Sequence, residues 1–227
     1  EINSENVKAG DAIPTEKTFC DIYGISRTTI RQAISELVNE GYLYRVKSKG
    51  TFVSQPKVKT DLINMYDGYN MEIFNMSMTP STQAIELTLV KANAEQARAL
   101  EIEEGDKVIY LLRHRYADGL AMGYVESYFK YPLCDFLLRE KEETFNSTSV
   151  YHILAKNRSA KIKRILKTIE AVGATEAEAK FLNIKKGSPI NLCTNICFSQ
   201  ETNTPVVYEL LKYRGDKNKF SIEINID

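Results

Sequence analysis

Between Pro14 and Val53 the chain reads PTEKTFCDIYGISRTTIRQAISELVNEGYLYRVKSKGTFV, and this one stretch admits few folds. Thr15 is placed to cap a short helix whose Phe19, Ile22 and Tyr23 fall on one face, and Gly24 supplies the sharp turn that ends it. Ser26 then caps a second helix. Ile30, Ala33, Ile34, Leu37 and Val38 recur there at three- and four-residue spacing, which predicts a shared buried face with Arg27, Thr28 and Arg31 turned the other way. Acids come only later, at Glu36 and Glu40, before Gly41 closes the helix. Tyr42 to Val53 alternates enough for a hairpin that turns at Lys47, Ser48, Lys49 and Gly50. The expectation is a winged helix-turn-helix, although an ordinary helical hairpin followed by a solvated basic strand fits the same pattern.

The chemistry of the exposed face decides what such a unit can do. Arginine offers a planar fork that matches guanine O6 and N7, threonine hydroxyls reach phosphates or bases, and the positive end of the helix faces a polyanion. The chain as a whole has a formal net charge of zero, so bulk charge does not suggest nucleic acid. The distribution does: from Ser26 to Lys59 seven basic residues face two acidic ones, a local excess of five.

With 227 residues, 43% of them hydrophobic, the chain is long enough for two modest domains. No apolar run is long enough to span a membrane and no signal peptide opens the chain, which leads to the expectation of a cytoplasmic protein. Cys20, Cys134, Cys193 and Cys197 show no paired spacing, and neither His114 nor His152 lies near enough in sequence to complete a metal set. Free thiols, no metal and no cofactor are expected.

The runs GDAIPTEK, ISRTTIRQAISELVNEGYLYR and KGTFV resemble the DNA-binding domain of GntR-family transcriptional regulators almost position for position, over about the first quarter of the chain. The resemblance implies that Glu16 and Lys17 contact DNA or orient groups that do. It implies likewise that Ser26, Arg27, Thr28, Thr29 and Arg31 form the reading set, and that Lys49, Gly50 and Thr51 form the tip of the wing. Lys17 stands where the family usually has arginine, which favours a point-charge phosphate contact over a bidentate base contact. The family carries a helix ahead of this region and the chain opens near its end, so the first helix is expected to be truncated. The domain is placed at 1–54 and a polar, basic connection at 55–63.

From there to residue 227 the chain carries an internal duplication. Leu100 corresponds to Leu182, Ile102 to Ile184, Gly105 to Gly187 and Val108 to Ile190, each copy reading as a short helix, a glycine turn and an antiparallel strand pair. Asn93 and Thr175 look like helix caps, Thr175 with Glu178 as a capping box. The expected class is α+β, with one antiparallel sheet and helices upon it.

This region resembles the UTRA effector-binding domain of the HutC-like branch of the GntR family, related in fold to chorismate lyase. The residues that carry the likeness are Arg113 to Arg115, Ala117 to Gly119, Ser149 to Tyr151 and Tyr213 to Asp216. Arg113 and Arg115 alternate on a strand and share a face, a cation-rich floor for an anionic or polyhydroxyl ligand. Glu126, on the partner strand, is expected to hold those arginines or to accept hydrogen bonds from sugar hydroxyls; a structural salt-bridge cluster is the alternative for all three. Ser149 and Tyr151 open a helix and Tyr213 closes the other wall. By family likeness the loop containing Gly68, Tyr69 and Asn70 cradles a phosphate. Asp67 sets a carboxylate at that place; it either caps the helix or turns inward, where it favours a neutral or cationic ligand. The family's usual second acidic position corresponds to Val207, and Glu209, on the same strand face, is expected to substitute.

The function implied is a homodimeric DNA-binding transcriptional regulator, a repressor on a near-palindromic double-stranded operator, released by a small metabolite such as a sugar or amino-sugar phosphate. A constitutive DNA-binding protein whose second domain only dimerises is the alternative. A lyase-like enzyme fares worse, since no catalytic constellation appears in the sequence.

Overall fold

Thr15 accepts a hydrogen bond from the Thr18 amide and so starts α1 (Glu16–Tyr23), which Gly24 ends in the left-handed region at φ 66°. The Ser26 hydroxyl accepts from the Thr29 amide at 3.2 Å and starts α2 (Arg27–Asn39). The computed structural model describes residue 8 and residues 10–39, 42–46, 49–54, 58–61 and 78–221, which fall into two units, Glu1–Lys57 and Val58–Asp227.

In the first unit Ile30, Ile34, Leu43 and Val53 form a small buried cluster, with Phe19, Cys20, Leu37 and Val38 packed against it. That cluster is too small to cover the whole apolar stripe expected of α1 and α2. Ile22 and Tyr23, expected on the buried face, stay 61% and 58% exposed, and Ala33 is exposed as well. Antiparallel strands β1 (Leu43–Val46) and β2 (Gly50–Val53) make the wing, with Val46 opposite Gly50. The segment before α1 extends this ribbon, since the Ile13 amide donates to Thr51 and the Val53 amide to Asp11.

The second unit begins with β3 (Val58–Asp61), which pairs in parallel with β10 (Asn218–Ser221), so part of the expected connection 55–63 is strand. Its centre is a six-stranded antiparallel sheet. The strands are β4 (Pro80–Lys91), β5 (Lys107–Ala117), β6 (Leu120–Lys130), β7 (Ile162–Gly173), β8 (Pro189–Ser199) and β9 (Pro205–Arg214), in the spatial order β4-β5-β6-β9-β8-β7. The duplication is therefore visible as two three-stranded halves that meet at β6 and β9.

Each half carries one helix, α3 (Ala94–Leu100) and α6 (Glu176–Leu182), and both open with a complete capping box, at Asn93 with Gln96 and at Thr175 with Glu178. The helices cross over. Leu100 and Ala97 of α3 pack with Tyr208 of β9, while Leu182 and Ala179 of α6 pack with Tyr124 of β6. The matched residues Glu101 and Asn183 end these helices at φ 52° each, and Gly105 and Gly187 follow at φ 90° and 78°. The opposite sheet face is covered by a 3-10 turn (Asp135–Arg139), α4 (Glu142–Ser147) and α5 (Val150–Leu154). There Leu137, Phe145, Val150, Ile153 and Leu154 pack on Ile109, Leu111, Phe129 and Val207.

Candidate functional site

On the first unit the residues expected to read DNA lie together at the start of α1 and α2. Glu16 receives Arg27 Nε at 2.9 Å and Arg31 Nη2 and Nε at 3.2 Å each. The hydrogen bonds from Arg31, then from Arg27, hold its carboxyl at about 2 and raise Arg31 above its ordinary value. Glu16 is thus an orienting group: it fixes two guanidinium forks that remain well exposed, at 70% and 60% of their side chains. Ser26 and Thr29 bond each other through their hydroxyls at 2.9 Å, and Thr28 and Lys17 are exposed. Lys49 and Gly50 are exposed at the wing tip, where Gly50 takes φ 124°, and Thr51 is half-buried. One tie was not legible in the sequence: Arg45 of the wing donates to Ser35 of α2 at 3.0 Å.

In the second unit the strand register builds a row of polar side chains. Lys167 lies opposite Asn195, Asn195 opposite Glu209 and Glu209 opposite Ser127, across β7, β8, β9 and β6. All share the face covered by α5, from which Tyr151 reaches down. Glu209, 2% exposed, accepts from Ser127 Oγ at 3.0 Å, from Tyr151 OH at 2.5 Å and from Asn195 Nδ2 at 3.2 Å. Arg113 stands one pleat further along this face, 4% exposed, and its Nε has no hydrogen-bond partner among the described residues. Burial, then the neighbouring Arg115, lowers the Arg113 guanidinium to about 10, against the pull of Glu209. Burial pushes Tyr151 well above the ordinary tyrosine value, and pushes Tyr213, 1% exposed beside the same arginines, to about 12. Ser149 occupies the N-cap position of α5. Arg113, Arg115, Tyr151, Glu209 and Tyr213 are therefore brought to one face.

Glu126 is not. Arg113 lies opposite Val125 and Leu112 opposite Glu126, so the carboxylate projects from the other face of the sheet. There it meets Lys212 Nζ at 3.5 Å and Tyr110 OH at 3.4 Å, and the expectation that it holds the two arginines is corrected. Lys212 also bonds Glu178 at 2.8 Å. Burial works against that carboxyl's charge, but hydrogen bonds from Lys212 and Thr175 outweigh it and hold Glu178 at about 2. His114, between the two arginines in sequence, likewise faces away and packs on Phe181 at 3.6 Å between ring centroids.

The run Tyr213 to Asp216 is mostly structural beyond its tyrosine. Arg214 clasps Asp216 at 2.8 Å and reaches the carbonyls of Ala121 and Leu182, and a Cβ at Gly215 would lie 2.9 Å from the Pro189 carbonyl oxygen. Gly68, Tyr69 and Asn70, with Asp67, lie outside the described residues. Three residues of the polar row, Ser127, Asn195 and Lys167, were absent from the sequence expectation. Cys134, Cys193 and Cys197 are buried free thiols, and no group of three His, Cys, Asp or Glu side chains able to hold a metal occurs among the described residues. No described helix is long and apolar enough to cross a membrane.

Comparison with known proteins matches the two units separately. The family model for bacterial regulatory proteins of the gntR family matches residues 1–53, and that for the UTRA domain matches residues 75–219. The chain is 32% identical over 208 residues to the HTH-type transcriptional repressor NagR of Bacillus subtilis (strain 168), covering 92% of this chain and 83% of that one. It is 32% identical over 206 residues to the "Probable fructoselysine utilization operon transcriptional repressor" of Escherichia coli (strain K12), covering 89% and 82%. The crystal structure of PhnF from Mycobacterium smegmatis shares the fold, with a TM-score of 0.73 at 21% identity over 98% of this chain and 96% of that one.

Proposed function

We propose that this chain, which belongs to the gntR family of bacterial regulatory proteins and carries a UTRA domain, is a repressor released from its operator when a small anionic metabolite binds the second unit. As a family member it is a DNA-binding transcriptional regulator and not an enzyme. Of the relatives named above, NagR is a transcriptional repressor and the Escherichia coli protein is named as a probable one, which supports that sign of regulation here. A phosphorylated sugar or amino sugar is the ligand class favoured, and a cytoplasmic homodimer placing two winged helices on a near-palindromic duplex is the arrangement.

The observation that carries the reading is Arg113. A guanidinium that is 4% exposed, with an Nε that finds no partner among the described residues, is costly to keep unless an acceptor arrives, and an anion supplies one. Tyr151 and Glu209 beside it come from α5 and β9, so a ligand that grips this face ties a covering helix to the sheet. Such a ligand shifts the protein toward the arrangement it prefers, and operator affinity changes by the difference in its affinity for the two states.

The test is a thermal-shift screen of the full chain with sugars, amino sugars and their phosphates at millimolar concentration, since a ligand of the folded state raises the melting temperature by mass action. The reading expects a phosphorylated compound to raise it, Arg113→Ala to abolish the rise, and the same compound to release a duplex carrying the operator. A protein that holds its operator identically with and without every compound would instead be a constitutive DNA binder.

A further inference from the structure

Lys167 lies on the edge strand β7, yet its ammonium turns inward and donates to Asn195 Oδ1 at 2.7 Å. Asn195 is fully buried and passes the contact on, its Nδ2 donating to Glu209. An amide has one accepting and one donating end, so an ammonium on one side and a carboxylate on the other decide which way Asn195 points. Glu209 then takes donors from Ser127, Tyr151 and Asn195. Its oxygens are occupied from inside the protein, and it organises the cluster rather than presenting itself to a ligand.

The cations differ. An ammonium carries three N–H donors, and Lys167 uses one of them among the described residues. Arg113 lacks a partner at Nε among the described residues. These two incompletely used cations rise from β7 and β5, four strand spacings apart, or about 19 Å along the backbone of the sheet. Both side chains are long, and Glu209, on a strand between theirs, pulls on both charges. The buried Arg113 donor stays costly until an acceptor meets it, and the part-buried ammonium of Lys167 also gains by meeting one.

Resting on the effector reading above, we infer that the ligand is two-ended. One anionic group sits on Arg113, and a second, a carboxylate, meets Lys167, which thereby becomes the residue that selects among anionic metabolites. Asn195 is a positioning residue: it aims the ammonium and keeps Glu209 from capturing it.

The experiment uses the full chain and a panel in which each sugar phosphate is paired with its sugar-acid phosphate, glucose 6-phosphate with 6-phosphogluconate being one pair. Thermal shift and calorimetric titration are run on wild type, Lys167→Met and Arg113→Ala. Wild type is expected to bind the acid of at least one pair more tightly. In Lys167→Met that preference disappears, a loss of roughly tenfold in Kd for the acid, while affinity for the plain phosphate is unchanged. The ligand-free melting temperature is expected to fall by a few °C, because the buried Asn195 Oδ1 loses its donor, so the selective loss of the acid is the deciding readout. Arg113→Ala weakens both members of the pair. The inference is overturned if Lys167→Met keeps the preference, or weakens both members of the pair equally, either of which makes Lys167 a structural counter-charge to Glu209. If no member of the panel shifts wild type, the effector reading falls first and takes this one with it.

Discussion

The hydroxyl of Tyr151 donates to Glu209 Oε2 at 2.5 Å, joining α5 to the central strand β9 across 58 residues of sequence. The bond closes over a carboxylate that is 2% exposed, so its loss leaves an acceptor short of a donor where water cannot readily replace it. Tyr151→Phe is expected to cost about 1–3 kcal/mol, read as a lower urea midpoint at unchanged slope. Removing both partners, as Tyr151→Phe with Glu209→Leu, should cost less than the sum of the two single changes. Additive costs would mean that the two groups act independently.

Glu16 sets the forks of Arg27 and Arg31. Glu16→Gln removes one negative charge from the DNA-facing surface and frees both arginines. Binding to random duplex should therefore tighten, while discrimination between operator and random duplex falls by about 1 kcal/mol, or roughly fivefold. Fluorescence anisotropy at two salt concentrations separates the two effects. An unchanged ratio would show that the ion pairs do not orient the reading set.

Gly123 allows β9 to approach β6. A Cβ there would lie 2.5 Å from the Lys212 carbonyl oxygen and 2.7 Å from Tyr213 Cδ1. Backbone cannot step aside cheaply, so Gly123→Ala is expected to destabilise by about 1–3 kcal/mol and to displace Tyr213. Chemical denaturation measures the cost, and the near-ultraviolet circular dichroism of the tyrosines reports the displacement.

Burial lowers His114 from 6.5 to about 4. Its folded value lies below the unfolded one, so between about 4 and 6.5 the unfolded chain binds the extra proton. The stabilisation is complete above 6.5 and is lost as the pH falls toward 4. The imidazole is only partly buried, so the loss is discounted to about 1 kcal/mol. Urea unfolding at pH 7.5 and 4.5 measures it, and His114→Phe should flatten that part of the profile. A His114→Phe profile as steep as the wild-type one would place the titration elsewhere.

The first unit was the more legible in sequence because its signals are local. Thr15, Gly24 and Ser26 act on residues within one turn, and helical periodicity names Ile30 and Ile34 as core directly. It overstated burial at Ile22, Tyr23 and Ala33, since periodicity marks a face but not how far the opposing core extends along it. The duplication was legible for a related reason: Asn93 and Thr175, and Gly105 and Gly187, repeat the same local chemistry at the same places.

The polar cluster was only half legible. Alternation placed Arg113 and Arg115 on one face, but Glu126 is one residue out of phase with that face, and in a strand one residue reverses the side. Ser127, the neighbour that does face inward, meets Glu209 across 82 residues of sequence, and Lys167 meets Asn195 across 28. The amino-acid sequence by itself determined the two helices, the wing, the capped repeats and the residue types available for binding DNA and an anion, because each rests on contacts within a few residues. Only the tertiary structure decided which charges share a face and which donors stay unfilled. Those depend on the register of strand pairs far apart in the chain, and no local pattern encodes that register.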